Sequence, residues 1–254
     1  MYVPLDASEA RLFEAAKRLK KGLICFGGSV CSGKSSSAHR LLDVITEGKP
    51  AGIDSVLASG ELRSLMDASV MSLSLDSNVL FLTSIYASSV ESIPSRFDDL
   101  YFGADSWKNV EEGSILICQK LLNAVDPEQS LSLGACERLN RGNHRFDDLI
   151  SSLSASADGR SLEKVRFSTI EALAPADQAI VPDGLSRIGK GKYKFVAREM
   201  IVVDSELKSL LVENKINEAE KYIAQHKGQS IREHAFQALL EGKIDPTEFS
   251  FAFD

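Results

Sequence analysis

The stretch GGSVCSGKSSS, residues 27–37, sets two glycines, a lysine and a hydroxyl at the spacing G-x-x-x-x-G-K-[ST]. Those residue types suit one kind of chemistry. Glycines let successive backbone N–H groups turn inward on an anion, and the N-terminus of a following helix adds positive potential. A lysine at this place reaches the β- and γ-phosphates of a nucleotide, and the hydroxyl after it binds Mg²⁺. The candidate binding residues are Gly28, Ser29, Val30, Cys31, Ser32, Gly33, Lys34, Ser35 and Ser36, with Ser35 as the metal ligand. ATP and Mg²⁺ are the expected cofactors.

Binding is not turnover. Hydrolysis also needs a carboxylate to position water and an acidic group to help hold the metal. Glu61, in SGELRS, is the catalytic candidate, although taken alone it reads as a solvated glutamate at a helix start. His39, His144, His226 and His234 are scattered; His39, one turn past the loop, reads as a surface position. The adjacent acids Asp98-Asp99 and Asp147-Asp148 point apart into solvent in most settings, and Trp107 reads as packing. The basic run KGKYK, 190–194, reads as a hairpin or loop.

The loop must leave a strand and open a helix. GLICFG, 22–27, is a short apolar run ending in glycine, which suits a buried strand. After the loop Ala38, Leu41, Leu42 and Ile45 recur at helical spacing, and Gly48-Lys49-Pro50 stops them. Ahead of the strand, 6–20 reads as a helix whose face is Leu12, Phe13, Ala16 and Leu19, with Asp6 and Glu9 as a capping box. DSVLASGEL, 54–62, is a weaker strand. Leu62, Leu65, Met66, Val70 and Leu73 then suggest a helix, and VLFLTSIY, 79–86, is the clearest strand in the chain. SILICQKLL, 114–122, is ambiguous between helix and strand, and SSLSASADGRS, 151–161, is a loop by composition. RFDDL recurs at 96–100 and 145–149 with no similarity around it, so the repeat is read as coincidence.

The C-terminal part is orderly. Asp204 precedes a helix carrying Leu207, Leu210 and Leu211. A second carries Ile216, Ala219, Tyr222 and Ile223 and ends near Gly228. A third opens on Ser230 and Glu233 as a capping box, carries Ile231, Ala235, Ala238 and Leu239, and stops at Gly242; Asp245-Pro246-Thr247-Glu248 starts a last one. Strand, glycine loop and helix, followed by further strand–helix pairs, imply a parallel α/β sheet. The expected division is a nucleotide-binding core at 1–122, a divergent middle at 123–192 and a helical subdomain at 193–254.

Composition narrows the functional classes. The chain of 254 residues is 44% apolar and 26% charged, with a net charge of −7. An acidic chain without basic runs is a poor partner for nucleic acid or an anionic membrane, so no nucleic-acid partner is expected. Cys25, Cys31, Cys118 and Cys136 form no C-x-x-C pair, which argues against a structural zinc, and are too sparse for a disulfide framework. No signal peptide is read at the start. The apolar runs are too short to cross a bilayer, so the cytosol is the default compartment.

The chain resembles the C-terminal ATPase core of the type II secretion and type IV pilus motors, hexameric RecA-like ATPases that drive pilus assembly, pilus retraction or protein export. Residues 1–37 look like that family's helix–strand–Walker A entry, and 60–89 follow its run from Walker B toward the His box. Gly60, Glu61 and Arg63 sit on its G-E-x-R-D; Arg96, Asp99 and Leu100 match R-L-x-D-M; ICQKLL, 117–122, is similar to A-Q-R-L. REMIVVDSELKSLL and GQSIREHAFQALLEGKIDPTE look like its C-terminal subdomain. The resemblance covers the chain apart from about 123–192.

The departures bear on activity. The family loop has glycine where Cys31 stands and threonine where Ser36 stands, and a Cβ at 31 crowds the loop if φ is positive there. The acidic box between the two nucleotide motifs has no counterpart, the family aspartate after Arg63 is Ser64, and the His-box histidine is Tyr86. The tetracysteine zinc motif and the N-terminal domain have no match. The resemblance thus implies a RecA-like core with a reduced sheet and a C-terminal helical subdomain, binding ATP·Mg²⁺ with impaired hydrolysis. It implies homo- or hetero-oligomers with other motor ATPase subunits, an inner-membrane platform protein as partner, and a cytoplasmic place peripheral to that membrane. Two alternatives stay open: a non-catalytic pseudo-ATPase scaffold or regulator, and a small-molecule phosphate-loop kinase. The kinase requires an arginine-rich lid, for which the middle region offers Arg138, Arg141 and Arg145 without a clear pattern.

Overall fold

The computed structural model describes residues 7–47, 55–77, 79–100, 104–126, 130–142, 144–167 and 194–253. Asp6, the Gly48-Lys49-Pro50 stop and all of the basic run KGKYK ahead of Lys194 lie outside the described residues.

In chain order the elements begin with α1 (Ala7–Arg18), β1 (Gly22–Gly27), α2 (Lys34–Glu47), β2 (Ser55–Leu62), α3 (Leu65–Leu75) and β3 (Val79–Ile85). Next come α4 (Ile93–Asp99), α5 (Ala104–Lys108), β4 (Ile115–Asn123), β5 (Leu131–Ser132), α6 (Leu133–Leu139), α7 (His144–Ala157) and β6 (Arg166–Phe167). The chain ends with β7 (Lys194–Val202), α8 (Ser205–Val212), α9 (Ile216–His226), α10 (Ile231–Leu240) and α11 (Pro246–Phe253). The ambiguous run at 114–122 is a strand. Its Ile115, Leu116, Ile117 and Cys118 are all buried, as a two-sided central strand requires.

Five strands form one sheet in the order β2-β3-β1-β4-β7. β1 lies parallel to β3, with Gly27 beside Ile85, and parallel to β4, with Gly27 beside Cys118. β2 is parallel to β3. β7 runs the other way: Val203 N donates to Ser114 O where β4 begins, and Lys194 Nζ donates to Asn123 Oδ1 where β4 ends. The sheet is therefore mainly parallel, and the carboxyl ends of β1, β2 and β3 meet at one edge, the edge where ligands gather in open α/β sheets.

The chain divides into two compact units: Leu5–Lys120 with Arg198–Ile231, and Met1–Pro4, Leu121–Ala197 and Arg232–Asp254. In the unit holding the loop, Leu12, Phe13, Ala16 and Leu19 pack with Ile24, Phe26, Leu41, Ile45, Leu80, Leu82, Ile115 and Ile117. The sequence expectation for α1 and α2 is met. Glu9 is buried, and its Oε1 lies 3.4 Å from Arg40 Nη1 and 3.6 Å from Arg198 Nη2.

The expected helix is present as α3, but three of the residues whose recurrence suggested it face outward. Met66, Val70 and Leu73 are 76%, 54% and 71% exposed, while Ala68, Met71 and Leu75 are buried. Its apolar residues are spread around the helix between Asp67, Ser69, Ser72 and Ser74, so periodicity does not select the side that packs. Ser64 caps α3 in a capping box with Asp67.

A second buried network ties β7 to the loop after β3. Glu199 accepts from Val90 N (2.7 Å) and from Lys227 Nζ (2.8 Å), and Lys227 also reaches Glu91 (2.5 Å). Asp204 caps α8 through Leu207 N, as its place before that helix implies.

In the other unit, β5 and β6 pair antiparallel, and Phe146 and Phe167 meet with ring centroids 5.7 Å apart. The expected loop at 151–161 is helical as far as Ala157, because Phe146, Leu153 and Ala157 bury one face of α7 while its serines face outward. Asn123 N and Nδ2 donate to Glu248, and Asp245 accepts from Thr247 N at the start of α11.

Candidate phosphate-binding site

The loop leaves β1 at Gly27 and enters α2 at Lys34, the strand–turn–helix setting its chemistry needs. Gly28 has φ +150, and a Cβ there would stand 2.3 Å from Ser32 Oγ and 2.6 Å from Gln119 O. Glycine alone fits that passage. Ser32 N donates to Ser29 O (3.3 Å), tightening the turn, and Ser37 N closes the first helical hydrogen bond on Gly33 O (3.0 Å). The N–H groups ahead of Ser37 at the start of α2 have no partner within the helix, as at any helix N-terminus. No acidic side chain lies in this first turn to compete for them. Arg198 Nη2 meets Ser37 Oγ at 3.4 Å and steadies the helix from the side of β7.

Of the predicted loop residues, Ser29, Val30, Cys31, Ser35 and Ser36 are exposed, whereas Gly28, Ser32 and Lys34 are buried. Cys31 adopts φ 62, so the position does require the left-handed region, and cysteine carries the strain that glycine would avoid. Lys34 Nζ is held by Gly28 O (2.7 Å) and Ser29 O (2.8 Å) and lies 3.2 Å from Glu61 Oε1. The ammonium thus sits at the root of the loop with three oxygen partners. His39 lies on the exposed side of α2, its Nδ1 2.7 Å from Ser35 O.

Glu61 reaches this place through a bulge. Ala58 pairs with Leu82, but Glu61 pairs with Ser84, so β2 holds one residue more than β3 over the same span. Thr83, buried in β3, pins the extra turn: its Oγ1 lies 2.8 Å from Ser59 Oγ and donates to Gly60 O at 3.1 Å. A bulge re-aims the side chain that follows it. Glu61 Oε2 lies 2.8 Å from Arg63 Nη2 and accepts from Arg63 Nε at 3.0 Å. Partial burial would push the Glu61 carboxyl up, but hydrogen bonds from Arg63 and Lys34 outweigh it and hold the group below its ordinary range. Glu61 is therefore a carboxylate at neutral pH, suited to orienting a cation or water rather than to taking a proton.

Tyr86 follows β3, half exposed, with the Arg96 guanidinium 6.0 Å from its ring centroid. Burial pushes the Cys25 thiol up, and the same cause, reinforced by Glu199, takes Cys118 to about 12. Neither is a nucleophile. Arg63, Thr83 and Gln119 were not singled out as site residues in the sequence. Gln119 lies on the segment similar to A-Q-R-L and, in ILIC-Q, is a polar residue directly after four apolar ones.

Together these residues form a cradle for an oxyanion: backbone donors of a glycine turn, a helix N-terminus and a buried ammonium. Two buried polar atoms beneath it, Ser32 Oγ and Gln119 Oε1, have no hydrogen-bond partner among the described residues. The donor set fits a phosphate, and the exposed Ser35 hydroxyl is an oxygen of the kind a hard cation takes.

No protein-family model and no curated protein matches this sequence. Solved structures do match the fold. The ATPase DotB of Legionella pneumophila superposes with a TM-score of 0.55 at 14% identity, over 99% of this chain and 66% of that one. The pilus retraction motor PilT, solved with bound ADP, does so with a TM-score of 0.55 at 13% identity, over 98% and 64%. The chain thus spans just under two thirds of the length of each. Its fold is the RecA-like α/β fold, which it shares with these two proteins.

Proposed function

We propose that the chain is the nucleotide-binding core of a secretion- or pilus-type motor ATPase, one that binds ATP·Mg²⁺ and hydrolyses it poorly. The observation that carries the reading is the setting of Lys34, buried at the root of a strand–loop–helix turn with its ammonium beside Glu61. Lys34 and the N–H groups of 28–36 hold the phosphates, Ser35 holds the metal, and Glu61 takes the Walker B role. Bound Mg²⁺ would supply charge neutralisation at the phosphate oxygens. PilT was solved with ADP, which supports an adenine nucleotide here. The working form is a homo-oligomer, or a hetero-oligomer with other motor ATPase subunits, on a platform protein at the cytoplasmic face of the inner membrane. Among the described residues, no helix is long and apolar enough to cross a membrane.

Three features support weak turnover: Cys31 strains the loop, Tyr86 stands at the His-box position, and both Glu61 oxygens are engaged by cations. Losing one transition-state contact commonly costs about 10²–10³ in rate. The engagement of Glu61 also favours a second reading, a pseudo-ATPase that binds nucleotide and regulates a true motor subunit. ATP turnover measured over a range of protein concentrations, with Lys34→Ala as the blank, separates them. Turnover above the blank that rises more than linearly with protein supports an assembling motor. Nucleotide binding that Lys34→Ala abolishes, with turnover at the blank, supports the regulator. Equal binding by wild type and Lys34→Ala overturns both.

A further inference from the structure

Gln119 lies on β4 immediately after Cys118, which pairs with Gly27, so the strand register sets it beside the root of the loop. It is 2% exposed. Its Nε2 donates to Ser32 O at 2.9 Å. A carbonyl accepts and never donates, so only the NH₂ end of the amide can face it. The peptide joining Ser32 to Gly33 is trans. In a planar trans peptide the C=O and the N–H point in opposite directions. Drawing the Ser32 carbonyl down to Gln119 therefore turns the Gly33 N–H up, away from β4 and into the loop. The neighbouring peptide is held as well, through Ser32 N on Ser29 O.

Resting on the phosphate-loop reading above, we propose that Gln119 is a positioning residue for phosphate: it fixes the Ser32–Gly33 peptide so that the Gly33 N–H is a standing donor to the anion. It touches no reacting atom. Its effect passes through the backbone that it orients. The cost is visible beneath the loop, where the other amide atom, Gln119 Oε1, and the Ser32 hydroxyl stay buried without partners among the described residues. A residue kept only to fill space would be apolar here, because its neighbours along β4, Ile115, Leu116 and Ile117, are.

The test is calorimetric titration of the full chain with Mg·ADP, comparing wild type, Gln119→Met, Gln119→Glu and Lys34→Ala. The ¹⁵N–¹H resonance of Gly33 is followed without nucleotide. Gln119→Met keeps the length and removes the donor. It is expected to weaken Mg·ADP binding by about tenfold, with a folded spectrum elsewhere, and to move the Gly33 resonance. Gln119→Glu keeps the shape but sets a carboxylate against the Ser32 carbonyl, so its loss should equal or exceed that of Gln119→Met. A packing role predicts the reverse order, with the isosteric Gln119→Glu close to wild type. Wild-type binding that Lys34→Ala removes, together with Gln119→Met within twofold of wild type and an unmoved Gly33 resonance, overturns this proposal and leaves the phosphate-loop reading standing. Wild type that fails to bind Mg·ADP overturns that reading and this proposal with it.

Discussion

Lys34 Nζ and Glu61 Oε1 stand 3.2 Å apart, the one at the first residue of α2 and the other near the end of β2, two strands away from β1 in the sheet. The contact joins the two segments whose residue types alone could support nucleotide chemistry. The lysine side chain is 8% exposed and the glutamate 20%, so solvent screens this pair less than the outer one to Arg63, whose side chain is 77% exposed. Burial favours the Lys34 arm, whereas the Arg63 arm is shorter and made through two nitrogens but lies open to solvent.

The pH dependence of stability follows from that pair. The Glu61 carboxyl is held below its ordinary value of 4.5 in the folded chain. A depressed carboxyl contributes stability above the unfolded value and loses it as pH falls through the lower folded value. Glu61→Gln should therefore be less stable than wild type by about 1 kcal/mol at neutral pH. The gap should stay constant down to about pH 5 and close below the ordinary glutamate range. Urea unfolding of both proteins from pH 7 to pH 3 measures it. A gap that widened on acidification would mean that Glu61 gains no charge-assisted partner on folding.

Cys31 offers a cleaner test of the loop. Its φ of 62 costs a residue with a Cβ about 1–2 kcal/mol, from the clash of Cβ with the carbonyl that follows. Cys31→Gly removes that strain but adds freedom to the unfolded chain worth about 0.4–1 kcal/mol. The net expectation is a gain of about 0.5–1 kcal/mol, read as a higher urea midpoint at unchanged slope. Cys31→Val, branched at Cβ, should lose stability. If both variants matched wild type, the left-handed loop would be wrong.

What was legible in the sequence followed from strong local physics. The glycine loop, the buried strands and the apolar face of α1 each express a single constraint, and the structure keeps all three. The other parts depended on partners distant in sequence. Nothing local marks Met66, Val70 and Leu73 as outward and Ala68, Met71 and Leu75 as inward on a helix whose apolar residues do not keep to one side. The serines at 151–156 hid a helix because turn-forming composition outweighed the spacing of Phe146, Leu153 and Ala157. At the site, Glu61 was found by type, whereas its aim was set by an extra residue in β2 that only strand pairing reveals. The contact of Gln119 was hidden for the same reason, although the residue itself lay on the A-Q-R-L segment, since its partner Ser32 comes from another strand's loop.

The bulge itself can be tested through Thr83, whose hydroxyl is the link between β3 and the extra turn. Thr83 is 1% exposed, and its Oγ1 contacts both Ser59 Oγ and Gly60 O. Thr83→Val preserves the shape and removes both hydrogen bonds, for an expected loss of about 1–2 kcal/mol. The informative quantity is its coupling to Glu61→Gln. If the bulge aims Glu61 at Lys34, loosening it also weakens that ion pair, so the second substitution has less left to remove. The double variant should then be more stable than the sum of the single losses predicts, by about 0.5 kcal/mol or more. Strict additivity would mean that Glu61 finds Lys34 without help from Thr83, and that the bulge serves only to end the pairing of β2.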